Sequence, residues 1–145
     1  WLVERTEEYG ASLLSRLLPG TAIRGMDYVQ ATRTRARYAS EFNALFADLD
    51  AIVTVNNMEP AFPIEDPVAR EKYYPRQART PFNVTGNPAL AVPAGFSSSG
   101  LPLSIQVVTG QFDEAMAYRI SDAYEASTDW TTRHPDLDKT AALVD

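Results

Sequence analysis

Read for spacing of apolar positions, the chain alternates helical and strand patterns. Leu13, Leu14, Leu17 and Leu18 recur at helical intervals within residues 4–18, and Pro19-Gly20 stops the run. Ala31, Tyr38, Phe42, Leu45, Phe46 and Leu49 form one apolar stripe and predict a helix over 27–49, with Asp27 as its N-cap. The β-branched run 51–55 (AIVTV) predicts a strand buried on both faces, as in a parallel or mixed sheet. Residues 56–79 keep no period and hold four prolines, mixed charge and the pair Tyr73-Tyr74. Loops of that length serve as lids or as surface padding, and the composition fits either. Asn83, Thr85, Gly86, Asn87 and Pro88 predict a turn, followed by a strand of small residues, 89–92, closed by Pro93. Ser97–Gly100 reads as the turn leading to a second strand, 103–109. A last helix is predicted over 113–127, capped by Asp113, with Met116, Ile120, Ala123, Tyr124 and Ser127 inward. Residues after Trp130 read as a surface tail. Helix followed by buried strand predicts an α/β fold, part of a mixed β-sheet flanked by helices.

Charge sharpens this picture. Residues 81–112 contain no Asp, Glu, Lys or Arg, although 22% of the chain is charged. At that rate about seven charges would fall in 32 positions, so this stretch is the predicted core. Its glycines and prolines leave no apolar run long enough for a membrane span. The net charge is −6, and residues 113–145 carry eight acidic against three basic side chains. That balance opposes nucleic-acid binding, which needs a basic footprint. Arg33, Arg35 and Arg37 do not restore one, since Arg35 points away from the face shared by the other two.

Composition allows one compact unit, residues 1–145. The lack of cysteine permits a cytoplasmic location, which is the expected one, no leader-like start is seen, and a chain opening on Trp1 suggests a preceding segment. A self-contained catalytic set is not legible. Ser97–Ser99 would need a base, and the single histidine, His134, sits before Pro135 in the tail. Lys72 and Lys139 stand in polar surroundings that would not depress a lysine pKa. One histidine and no cysteine predict no metal site, and no phosphate-cradling glycine loop calls for a cofactor.

Several ordered blocks resemble the C-terminal half of the amidase-signature family of serine hydrolases, covering about Tyr28 to Pro135. They are D-A-I-V-T (Asp50 to Thr54), T-x-x-N-x-T-G-x-P-A (Thr80, Asn83, Thr85, Gly86, Pro88, Ala89) and V-P-A-G (Val92 to Gly95). G-L-P-x-x-x-Q (Gly100, Leu101, Pro102, Gln106), Gly110, F-D-E (Phe112 to Glu114) and T-D-W with R-x-P (Thr128 to Trp130, Arg133, Pro135) complete the series. The resemblance implies an amidase that cleaves a carboxamide C–N bond through a Ser–cis-Ser–Lys triad. That triad belongs to the family's other half, so no catalytic residue carries over. It also implies that this half completes the sheet and one wall of a pocket for a small amide. Asn56, Asn57, Met58, Phe82 and Asn83 are the expected substrate-binding residues, with turn formation and core packing as their alternative use.

Two departures from the family pattern stand out. Thr54-Val55-Asn56-Asn57-Met58-Glu59-Pro60 replaces T-P-x-x-P, and Ser104 stands where glycine is common. Arg76, Gln77 and Arg79 occupy the neighbourhood where the tRNA-amidating member of the family tends to carry an acidic residue. The expected partner is the missing N-terminal half, and an exposed half-domain face would also allow a homo-oligomer. A stand-alone binding module and the A-type subunit of a tRNA-dependent amidotransferase are the competing readings.

Overall fold

A computed structural model describes residue 2 and residues 4–134. The chain divides into two units, residues 1–38 and 39–145.

In the first unit, helix α1 spans Ala11–Leu17 and tightens into a 3-10 turn over Leu18–Ala22, where Pro19 supplies no N–H. Leu13, Leu17 and Leu18 are exposed. Helix α2 spans Gly25–Asn43 and begins two residues before the position expected for its cap. Asp27 therefore lies in the first helical turn, where it binds Arg24 at 2.8 Å rather than capping. That hydrogen bond raises the pKa of Arg24. The residues expected to extend the helix to 49 form a separate 3-10 turn, Ala44–Ala47. Asn43 explains the break. Its Nδ2 donates back to the Ala39 carbonyl at 2.8 Å, while its Oδ1 is engaged by residues distant in sequence.

The second unit is built on strands β1 (Ile52–Val55), β2 (Ala89–Phe96) and β3 (Pro102–Val108) in the order β1-β3-β2. Both pairings are antiparallel, with Val53 opposite Val107 and Leu90 also opposite Val107. The strand expected at 51–55 is present, but its two faces differ. Ile52 and Thr54 are half-buried, while Val53 and Val55 are 57% and 48% exposed. An antiparallel strand alternates its side chains, and nothing in the described residues covers the valine face.

Strand β2 does not close at Pro93. Among the described residues it is an edge strand, so the missing proline N–H interrupts no ladder, and a bulge between Pro93 and Gly95 lets pairing resume to Phe96. Gly95 has φ +127°, and the Trp130 ring lies 3.9 Å from where a Cβ would be. The Ser97–Gly100 segment is the expected hairpin turn, with the Ser97 N–H donating to the Leu101 carbonyl at 2.8 Å.

Two short helices occupy stretches that show no helical period. Helix α3, Pro67–Tyr73, starts at Asp66, whose carboxylate accepts from the Ala69 N–H at 2.9 Å. Helix α4, Thr80–Thr85, replaces the first part of the expected turn. It ends at Gly86, whose φ of 78° is the left-handed C-cap that glycine adopts without strain. Helix α5, Glu114–Ala126, is capped as expected by Asp113 through the Met116 N–H at 3.4 Å. Its inner face is rotated from the expected one. Ala117 and Ser121 are buried, Met116, Ile120 and Tyr124 are half-buried, and Ala123 and Ser127 are exposed. The small residues let α5 approach β2 and β3 closely.

The core comprises Phe82, Val92, Val107, Val108 and Ala117. Phe42 links α2 to it, with ring centroids 5.7 Å from both Phe46 and Phe82. Thus the charge-free stretch 81–112 supplies four of these five buried apolar side chains.

Candidate functional site

Four features of the second unit bring polar or reactive side chains together: a polar junction, a serine turn, an aromatic cleft and a groove beside β1.

The junction joins the ends of α2, α4 and β3. Asn87 is buried, and its Nδ2 donates to Asn43 Oδ1 at 3.0 Å and to the Thr109 carbonyl at 2.8 Å. The Gln111 N–H donates to the same Asn43 oxygen, and Gln111 Nε2 donates to the Thr85 carbonyl at 2.9 Å. Gln106 is fully buried and donates to the Val55 carbonyl at 2.9 Å, tying β3 to β1 by a side chain as well as by the ladder. Thr85, Gln106 and Gly110, all in the motif blocks, serve this architecture. Gly110 faces Phe46, whose Cβ lies 3.5 Å from where a glycine side chain would begin.

The serine turn is not a nucleophile–base pair. Ser97 Oγ lies 2.9 Å from Ser99 Oγ and accepts from the Leu101 N–H at 3.0 Å. Both contacts belong to the hairpin, and among the described residues neither serine has a base as partner. His134 lines a cleft of about 530 Å³ with Phe96, Trp130 and Arg133, where the Arg133 guanidinium sits 4.0 Å from the Phe96 ring centre. Pro135 and Lys139 lie outside the described residues, as does most of the expected tail. Among the described residues no group of three or more His, Cys, Asp or Glu could hold a metal ion.

The groove holds about 420 Å³ and is lined by Val55, Asn57, Met58, Leu103, Ser104 and Ile105 among others. Its floor is the β1–β3 ladder, which the Asn56 N–H extends by donating to the Ser104 carbonyl at 3.3 Å. Asn56 Nδ2 also donates to Ser104 Oγ at 3.3 Å. The two departures from the family pattern therefore meet in space. The expected site residues separate into two groups. Asn57 and Met58 line the groove, and half-buried Asn56 adjoins it through Ser104. Phe82 instead packs in the core against Phe42, and Asn83 is exposed on α4, one helical turn beyond Arg79.

Residues that sequence reasoning marked only as departures from the family pattern complete this edge. Asn57 pairs with Gln77 in an isolated antiparallel bridge, and the Met58 N–H donates to the Arg76 carbonyl at 3.2 Å. Arg79 donates to Asn57 Oδ1, and Arg76 forms an ion pair with Glu59. Their signal in the sequence is that departure, together with the basic residues closing the 56–79 segment; neither placed them beside Asn57.

Comparison with known proteins agrees with this architecture. The Amidase family model matches residues 4–117. The A-type subunit of glutamyl-tRNA(Gln) amidotransferase from Chloroflexus aggregans is 37% identical over 142 residues, 92% of this chain and 28% of the relative. The Brevibacillus brevis protein of the same name is 32% identical over 91% of this chain and 28% of its own length. The chain thus spans little more than a quarter of these relatives. Among solved structures, an amidase superposes with a TM-score of 0.77 at 24% identity, over 87% of this chain and 30% of its own. The A-type subunit of the Thermotoga maritima glutamyl-tRNA(Gln) amidotransferase gives a TM-score of 0.62 at 30% identity, over 85% and 29%. With the family model matched over most of its length, the chain belongs to the amidase family.

Proposed function

We propose that this chain is the C-terminal portion of an amidase domain whose full-length protein hydrolyses carboxamide C–N bonds. The observation that carries the reading is the family match over residues 4–117, in a chain spanning 28% of its relatives. The Ser–Ser–Lys machinery lies in the remainder of the protein. This portion completes the sheet through β1, an edge strand among the described residues whose exposed Val53–Val55 face the other half would cover, and forms one wall of the substrate pocket. Asn56, Asn57 and Met58 stand on that wall. Phe82 and Asn83 act through the position of α4, because Arg79 at its start holds Asn57. The substrate is a small amide, the partner is the other half of the domain, and the location is the cytoplasm. No helix among the described residues is long and apolar enough to cross a membrane.

The test is ammonia release by the full-length protein from a panel of aryl and aliphatic amides. Hydrolysis of at least one is expected, with Met58→Ala raising KM severalfold and leaving kcat nearly unchanged, as for a group that binds ground and transition states alike. No hydrolysis across the panel would contradict the reading.

A second reading, the A-type component of a tRNA-dependent amidotransferase, is favoured by the names of the curated relatives. It requires glutamine as the ammonia donor. Glutamine hydrolysis that rises severalfold with a tRNA-binding partner protein would support it over a simple amidase.

A further inference from the structure

The segment between β1 and α4 closes on itself. The Asn57–Gln77 bridge and the Met58 N–H bond to the Arg76 carbonyl set its two ends side by side. Between them lies a cavity of about 60 Å³, walled by Asn57, Glu59, Tyr73, Arg76, Gln77 and Arg79 among others. Asn57 and Glu59 also line the larger groove, so the two spaces are neighbours that share a wall.

The cavity differs in charge from its chain. Two guanidiniums face one carboxylate, a local balance of +1 in a chain of net −6. Residues 70–79 hold Arg70, Lys72, Arg76 and Arg79 against Glu71 alone. Hydrogen-bonding capacity is unbalanced too. Glu59 engages Nη1 of Arg76, and Asn57 Oδ1 engages Nη1 of Arg79. A guanidinium carries five N–H donors in a planar fork, so each contact leaves most of that fork available. The space admits a group of only a few atoms. A doubly charged tetrahedral anion would be larger and would lie against Glu59.

We propose that this cavity is a carboxylate-binding subsite, which selects amides carrying a free carboxylate away from the scissile bond. This rests on the amidase reading and deepens it. The carboxylate accepts from Arg79 and Arg76, and the rest of the substrate runs past Asn57 along the groove beside Met58. The pocket's surplus positive charge disfavours an ammonium beside that carboxylate. The preferred substrate is therefore an acid amide rather than an α-amino acid amide.

The test uses the full-length protein with glutarate as the binding probe, titrated by calorimetry. Hydrolysis is compared for glutaramate, its methyl ester and glutamine. Glutaramate is expected to exceed both others in kcat/KM, through a lower KM. Arg79→Met weakens glutarate binding by about ten- to a hundredfold, the range of charge-assisted hydrogen bonds, and removes the preference for the acid over the ester. Glu59→Gln raises the pocket's charge and frees Arg76, so it tightens glutarate binding. The opposite signs separate recognition from scaffolding, since loosening the loop would weaken binding in both variants. No glutarate binding by the wild type, or weaker binding in Glu59→Gln, would overturn the subsite. If neither glutaramate nor its ester is hydrolysed, the amidase reading loses its support here, and the subsite still stands or falls on the glutarate titration.

Discussion

Phe82→Ala in the full-length protein is expected to lower stability by about 3–5 kcal/mol, the range for removing a buried aromatic ring. Phe82 is 8% exposed and packs against Phe42, which in turn meets Phe46. The ring therefore joins α4 to the end of α2 and to the turn after it. Deleting it leaves a cavity between elements that cannot collapse freely, because the polar junction pins their ends. Phe82→Leu keeps much of the volume and should cost roughly 1–2 kcal/mol. Chemical denaturation measures both. A loss below about 1 kcal/mol for the alanine variant would mean that Phe82 is not the core residue described here. The same variant should raise KM, since α4 begins at Arg79, which holds Asn57.

The second large effect is expected at Asn87, with an ordering that packing alone would not produce. Asn87→Ala removes a donor shared by Asn43 Oδ1 and the Thr109 carbonyl, at a cost of about 1–3 kcal/mol. Asn87→Asp preserves the shape but turns a carboxylate toward those two acceptors in a buried site. Its cost should exceed that of the alanine variant, about 3 kcal/mol or more, because the new charge would face acceptors instead of donors. Denaturation curves for the two variants decide the matter. An aspartate variant as stable as the alanine variant would show that the Asn87 amide is not donating as described.

How much of this was legible from the residues depends on the range of each determinant. The capping of α5 by Asp113 and the Ser97–Gly100 turn follow from neighbours within a few positions, and both appeared as expected. Helices α3 and α4 are seven and six residues long, too short for an apolar period to repeat, so only their ends carried a signal. Asp66-Pro67 and Pro81 with Gly86 were those signals; the first lay in a segment read as a loop without period, and the turn read over 83–88 overlooked the second. The inner face of α5 was displaced because Ala117 and Ser121 are small. Close approach to the sheet, not hydrophobicity, puts them inside.

The extension of β2 past Pro93 and the one-sided burial of β1 depend on what each strand lies beside. Both are sheet-level properties that a strand's own residues do not encode. The candidate site divides in the same way. Asn57 and Met58 were expected from their place after a strand, a local cue, and both line the groove. Arg76 and Arg79 join them only because the chain returns through the Asn57–Gln77 bridge, twenty positions later. Phe82, expected beside them as part of a loop at a strand end, packs in the core.

The central claim is that the nucleophile belongs to the remainder of the protein. Labelling the full-length protein with a serine-reactive fluorophosphonate, then mapping the adduct by peptide mass spectrometry, tests it most directly. The account predicts one modified serine, in a peptide outside residues 1–145, with loss of amide hydrolysis in step with labelling. An adduct on Ser97 or Ser99 that abolishes activity would contradict it.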